Sequence, residues 1–206
     1  MVAPDRPTLT AGAGTRRGSV LALIRCLDFA AALGGGLLLL PIVLVVAVMI
    51  RRDSPGPALF RQRRVGRNEV PFTCYKLRTM AEGTPSAGSH EVSVAFVTPL
   101  GHRLRRLKLD ELPQLWNVLR GEMSLVGPRP CLPSQVELIT ARRNAGVYNV
   151  RPGITGPAQV KGVDMSTPDR LAREDSVWTS NPGLKDYFLL ILATATGQGQ
   201  GDAIRP

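Results

Sequence analysis

Asp110 and Glu111 are adjacent carboxylates in a strongly cationic setting, with Arg103, Arg105, Arg106 and Lys108 immediately before them. A solvated, mixed-charge helix face is the ordinary explanation of such a run. Three features favour chemistry instead. The local charge is very asymmetric. Pro113 belongs near a helix start, so a break is expected close to Asp110, with Asp110 or Glu111 as the N-terminal signal. The pair would then open a helix, where backbone N–H groups collect anions. The following segment, Gly121 to Pro130, is a Gly/Pro-fixed loop that presents Arg129 between Pro128 and Pro130. Lys76, Arg78, Arg105, Arg129 and Arg151 are candidate phosphate ligands, although sequence alone does not show that they converge. An Arg/Lys cluster, two carboxylates and a divalent cation are a common toolkit for phosphoryl transfer.

Other chemistries find little support. The chain has no Walker A pattern, no GxSxG, no HExxH and no DxD pair. His90 and His102 are the only histidines, and His102 reads as a surface residue on a basic helix. The three cysteines, Cys26, Cys74 and Cys131, are widely spaced without a CxxC pair. Neither a disulfide framework nor a zinc site is indicated, and a reducing compartment is expected.

The elements that must position these residues begin with one apolar segment. Phe29 to Ile50 carries no charge and is close to the ~20 residues that cross a bilayer core. It is too long for a typical signal-peptide core and is followed by a poor cleavage site. Its lack of a polar face argues against a helix of a soluble core. Both flanks are basic, with Arg16, Arg17 and Arg25 before it and Arg51, Arg52, Arg61, Arg63 and Arg64 after it. The positive-inside rule gives a simple span one wrong flank. Pro41, after Gly34-Gly35-Gly36, offers a bend and a re-entrant path that keeps both flanks beside anionic lipid. Span and hairpin both remain open on spacing, and a bend would need polar partners, with Asp28 and Cys26 nearby.

Beyond it, Ala58-Leu59-Phe60 and Pro71 to Leu77 suit a β-hairpin, and Ala81 to Ser93 reads as a mobile loop. Helical spacing runs over 99–120, then 133–146, 168–178 and 184–195, with 151–157 as a rigid loop. The expected organisation is α+β and mostly helical. It comprises a flexible tail (1–19), a re-entrant membrane helix (20–52), a small globular domain with a short β-hairpin (53–196) and a flexible tail (197–206). The chain has 206 residues and a formal net charge of +10, which favours anionic partners. Aromatics are only 5%, which weakens a base-stacking nucleic-acid reading. A basic, membrane-anchored adaptor would explain the charge and the anchor. It would not explain two acids inside a basic helix or the fixed Pro/Gly loops.

Three ordered motifs resemble the bacterial sugar transferases, the monotopic polyprenyl-phosphate phosphoglycosyl transferases. They are Ser54 to Met80 (SPGP…FRQ…VGR…PF…YKLRTM), Leu109 to Pro130 (LDELPQLWNVLRGEMSLVGPRP) and Arg151 to Gly156 (RPGITG). The resemblance covers about Arg25 to Thr196. It implies transfer of a sugar 1-phosphate from a UDP-sugar to a polyprenyl phosphate such as undecaprenyl phosphate, with release of UMP. It implies a covalent intermediate on Asp110, and Mg²⁺ with Asp110 and Glu111 as its ligands. Lys76, Arg105 and Arg129 fall on family active-site positions. Asp175 and Asp186 are candidates for two further family acids, and Arg151 for a phosphate ligand. It also implies the cytoplasmic face of the bacterial inner membrane, contact with membrane lipid, no nucleic acid, and an initiating role in glycan or exopolysaccharide assembly. Monomer and homodimer both stay open.

The chain departs from the family pattern at several places. Leu40 replaces the Ser that often precedes the helix-breaking proline. Leu107-Lys108 replaces Thr-Ser, and Trp178 to Gly183 replaces an aromatic-rich stretch. The extra N-terminal membrane domain of the large members is not expected.

Overall fold

The computed structural model describes residues 11–84 and 96–199. Most of the loop expected at 81–93, the start of the N-terminal tail and the end of the C-terminal tail lie outside the described residues.

A single helix, α1 (Ala11–Asp53), dominates the N-terminal part. It begins inside the stretch read from sequence as a tail. Pro41 lies within it and does not divide it into two elements. At 1.5 Å per residue a straight helix of 43 residues would be about 65 Å long. It is long and apolar enough to cross a membrane by length and composition.

The sequence is apolar all round, yet only one stripe of α1 is covered. Ile24, Asp28, Ala32, Val46 and Ile50 are buried, with Gly35, Leu39 and Val43 half-buried between them. That spacing of three and four residues is one helix face. Ile24 joins a core cluster with Val126, Trp178 and Tyr187. Ala32 joins Phe72, Cys74, Val118 and Met123. Val46 and Ile50 join Leu77 and Leu104. The rest of the helix exposes Leu37, Leu38, Leu40, Ile42, Leu44 and Val45. α1 therefore lies along the globular domain and touches it near both ends.

Polar contacts fix the N-terminal half. Arg17 donates to the Thr179 carbonyl (2.7 Å). Arg25 donates to the carbonyls of Val118 (2.6 Å) and Leu119 (3.1 Å). Asp28, read from sequence as a partner for a bend, instead accepts from the Leu125 N–H and the Tyr187 hydroxyl, both at 2.9 Å.

The expected hairpin is present. β1 (Leu59–Val65) pairs antiparallel with β2 (Pro71–Leu77), and Lys76 stands opposite Phe60. The expected helices follow as α2 (Pro99–Arg106), α3 (Gln114–Leu119), α4 (Val136–Asn144), α6 (Pro168–Ser180) and α7 (Leu184–Ala195). His102 is exposed on α2, as expected.

Three elements were not anticipated. β3 (Ser124–Val126) pairs in parallel with β4 (Gly153–Thr155), and a short α5 (Pro157–Val160) follows. Strands this short show no alternation. Their sequences sit inside Gly/Pro motifs that read as loops.

Candidate active site

The carboxylate pair does not open an α-helix. α2 ends at Arg106 and is capped by Leu107, Lys108 takes the left-handed conformation (φ 56°), and Leu109–Glu111 forms a single 3₁₀ turn before Pro113 and α3. With three residues per turn, neighbouring side chains diverge by roughly 120°. Asp110 and Glu111 therefore leave the turn in different directions. Both are buried, with 4% and 6% of their surface exposed. Buried carboxylates need compensating partners. Glu111 has two: its Oε1 lies 2.6 Å from the Arg129 guanidinium and 3.4 Å from Lys76 Nζ.

Each cation reaches Glu111 from a rigid support. Lys76 sits on β2, whose outer edge is held by Asn117 of α3. The fully buried Asn117 accepts from the Tyr75 N–H (3.2 Å) and donates to the Thr73 carbonyl (2.7 Å). Its side chain thus mimics a further strand. Glu122 accepts from Asn117 Nδ2 at 2.7 Å.

Arg129 follows β3. The β3–β4 pairing continues through Gly127 N–H to the Thr155 carbonyl (2.8 Å) and Gly153 N–H to the Pro128 carbonyl (2.9 Å). A Cβ on Gly153 would overlap the Gly127 backbone, so only glycine permits this approach. The peptide that carries Arg129 is also held from outside. Arg142 donates to the Arg129 carbonyl (2.7 Å), and Arg64 to the Pro130 carbonyl (2.9 Å).

The remaining candidates make contacts of their own. Arg105 donates from Nε to Thr79 Oγ1 (2.9 Å), across the step from β2 to α2. Arg151 is half-buried and donates to the Gly121 carbonyl (2.8 Å), tying the third motif to the end of α3. Burial and the nearby Arg25 and Arg67 make it less basic than usual.

Arg78 binds main chain rather than converging on the carboxylates. Its guanidinium donates to the carbonyls of Pro55, Ser54 (2.8 Å) and Ile50 (3.4 Å), clamping the end of α1. Asp175 is not a substrate-facing acid either. It is 0% exposed, and its Oδ2 accepts from Arg142 Nε (3.0 Å) and a terminal nitrogen (2.6 Å). Burial pushes its carboxyl up from the usual value against the pull of that cation. Asp186 stands exposed in the first turn of α7, where a carboxylate suits the positive end of the helix dipole.

Asn117, Arg142 and Arg64 were missed by the sequence reading. A polar residue amid Leu115, Trp116, Val118 and Leu119 was the available signal for Asn117. The two arginines act on main-chain carbonyls, for which no residue pattern exists.

No group of three or more His, Cys, Asp or Glu suited to a metal occurs among the described residues. Asp110 and Glu111 are nevertheless hard oxygen donors of the type Mg²⁺ takes, since it is commonly held by one or two carboxylates with water and substrate phosphate.

Residues 20–198 match the bacterial sugar transferase family. The chain is 45% identical over 160 residues to a UDP-glucose:undecaprenyl-phosphate glucose-1-phosphate transferase of Caulobacter vibrioides, covering 76% of this chain and 60% of that protein. It is 41% identical to a UDP-N-acetylgalactosamine-undecaprenyl-phosphate N-acetylgalactosaminephosphotransferase of Aeromonas hydrophila, over 66% of this chain and 33% of that one. It is also 36% identical to the exopolysaccharide production protein ExoY of Rhizobium meliloti, over 82% of each chain. The chain thus spans three fifths of the Caulobacter relative and one third of the Aeromonas relative. With Lys76 and Arg129 of its first two motifs meeting at Glu111, and with the family match covering nearly all of its described residues, the chain belongs to the bacterial sugar transferase family.

Proposed function

We propose that the protein transfers a sugar 1-phosphate from a UDP-sugar to undecaprenyl phosphate or a similar polyprenyl phosphate. The observation that carries this reading is the Lys76–Glu111–Arg129 cluster beside Asp110. It sets cations beside a buried carboxylate pair whose two side chains leave the turn in different directions, an arrangement suited to an anionic substrate.

The Asp110 carboxylate attacks the phosphorus that bears the sugar. A P–O bond forms to Asp110, and the bond to the UMP oxygen breaks. UMP leaves, and an aspartyl phosphosugar remains. An oxygen of the polyprenyl phosphate then attacks the same phosphorus. The acyl phosphate bond breaks, and the Asp110 carboxylate is restored. Glu111 holds Lys76 and Arg129 in place, and both cations offset the repulsion between the anionic donor and acceptor. Mg²⁺ held by Asp110 and Glu111 would supply charge neutralisation at the diphosphate.

The packing of α1 supports the membrane part of the reading. A straight span of ~30 Å would carry one end away from the globular domain. Here Ile24 and Ile50 both lie in the domain core. The basic flanks therefore belong on one face, which we assign to the cytoplasmic side of the inner membrane. The exposed leucines of α1 would enter the lipid. Release of UMP from a UDP-sugar by the purified protein, dependent on Mg²⁺ and coupled to undecaprenyl phosphate, tests the function. No UMP release across a panel of UDP-sugars would overturn it.

A further inference from the structure

Lys108 stands between the end of α2 and the 3₁₀ turn that carries Asp110 and Glu111, and its N–H, carbonyl and ammonium are each engaged. The N–H donates to the Arg105 carbonyl (3.0 Å), and the carbonyl accepts from the Glu111 N–H (3.3 Å). Nζ lies 3.3 Å from the carbonyls of Thr194 and Gln198, at the C-terminal end of α7. We infer that Lys108 is a positioning residue for the reaction: its ammonium, held on α7, keeps its backbone in the conformation that aims the Asp110 carboxylate. This rests on the transfer reading above and names a residue outside the Lys76–Glu111–Arg129 cluster on which that transfer depends.

A lysine over the last carbonyls of a helix is an ordinary cap. The backbone of Lys108 is not ordinary. It is left-handed (φ 56°, ψ 19°), a conformation in which Cβ crowds the following carbonyl. Among the described residues, only Asn68 and Glu69 share a positive φ without being glycine, and both lie in the turn between β1 and β2. Strain of this kind persists where the surroundings over-determine it. A relaxed, right-handed Lys108 would rotate the next peptide, and with it the direction in which Asp110 and Glu111 leave the turn.

The anchor is itself fixed. The Thr194 carbonyl also accepts from the Gly197 N–H (3.2 Å), and the Gln198 N–H donates to the Ala193 carbonyl (2.8 Å), so both acceptors belong to a closed helix end. Thr194 shares a hydroxyl–hydroxyl hydrogen bond with Thr155 of β4. A Cβ on Gly199 would stand 2.8 Å from the Gln159 carbonyl of α5, so the chain passes close there. In the first turns of α7 the buried Tyr187 donates to Asp28 of α1 (2.9 Å). Lys108 and Glu111 line one narrow space with Thr194 and Gln198, which sets the end of α7 beside the carboxylate pair.

The test separates backbone from charge. Lys108→Ala and Lys108→Gly both remove the ammonium, but glycine takes the left-handed conformation freely and alanine does not. UMP release from the preferred UDP-sugar is measured at a temperature where each variant is folded, with melting temperatures alongside. Lys108→Ala should lose roughly 5- to 30-fold in kcat, the fold-change that matches the left-handed penalty, with the donor KM unchanged. Lys108→Gly should fall between Lys108→Ala and wild type. Lys108→Arg, which keeps donors for both carbonyls, should stay nearest to wild type. Equal turnover in Lys108→Gly and Lys108→Ala would overturn the proposal. A raised donor KM at unchanged kcat would overturn it as well, and make Lys108 a phosphate ligand. Wild-type turnover in Lys108→Ala with a lowered melting temperature would also overturn it, leaving a helix cap only. Should Lys108→Ala fail to fold, Lys108→Met, which keeps an aliphatic stem, takes its place in the comparison with Lys108→Gly. Absence of UMP release from every donor by wild type would overturn the transfer reading itself, and with it this assignment.

Discussion

Asp175 fixes Arg129 through Arg142. One guanidinium spans the two, donating to Asp175 Oδ2 (2.6 and 3.0 Å) and to the Arg129 carbonyl (2.7 Å). Arg142 is 1% exposed, so its charge depends on Asp175 for compensation. Asp175→Asn leaves that charge unpaired and should cost about 3 kcal/mol of stability. For a chain of this size the melting temperature should fall by roughly 6–12 °C. Thermal unfolding followed by circular dichroism checks this. Lost activity at an unchanged melting temperature would instead make Asp175 a substrate ligand.

Arg129 and Arg78 should separate in the same assays. Arg129→Ala removes a cation from Glu111 and should lower turnover by about 100-fold or more, as for loss of one preorganised charge donor. Arg129→Lys should recover only part, because the planar fork is lost. Arg78→Ala releases the end of α1 from the loop at Ser54 and Pro55. It should reduce stability and leave the KM for the donor unchanged. Steady-state kinetics at a temperature where both variants are folded distinguishes the two. Wild-type turnover in Arg129→Ala would remove that residue from the site.

The hairpin was legible from the turn signals around it, the long N-terminal helix from its uncharged apolar run, and the later helices from the spacing of their apolar residues. Lys76, Arg129 and the Asp110–Glu111 pair stood out as candidates because charged residues in Gly/Pro-fixed segments have few structural explanations, but that Lys76 and Arg129 meet at Glu111 was not visible in one dimension. The β3–β4 pairing was not legible either, since three residues carry no period and its glycines signal turns equally well. Asp175 and Arg78 were misread for a related reason. A charged residue that neutralises a buried partner or clamps main chain looks, in one dimension, like one that meets a ligand. The 3₁₀ turn was hidden because Lys108 adopts a left-handed conformation that non-glycine residues seldom take.

Native cysteines allow the topology to be tested without new labels. Cys26 is exposed on α1, whereas Cys74 and Cys131 are buried. Burial also pushes the Cys74 thiol up, so its reactive thiolate is scarce. A membrane-impermeant maleimide should therefore modify a single site per chain, and only when it has access to the cytoplasmic face. Labelling of Cys26 in intact cells from the periplasmic side would sink the one-face arrangement. Cys26→Ser should abolish the signal, which confirms its origin.

The nucleophile can be identified by trapping. Asp110 and Glu111 leave a 3₁₀ turn in different directions, and Glu111 is committed to Lys76 and Arg129. Only one of the pair need meet the phosphorus in line. Asp110→Asn preserves size and removes the charge, so turnover should fall by orders of magnitude, on the order of several kcal/mol in the barrier. Glu111→Gln loosens the two cations and should lower the rate without abolishing the adduct. Kinetics should be ping-pong, with UMP leaving before the lipid binds. Intact-protein mass spectrometry after incubation with the preferred UDP-sugar and Mg²⁺, without lipid, should show a sugar-phosphate increment on wild type and on Glu111→Gln. The increment should be missing from Asp110→Asn. An adduct on Asp110→Asn, or a ternary-complex rate law with no adduct on wild type, would rule out Asp110 as the attacking group.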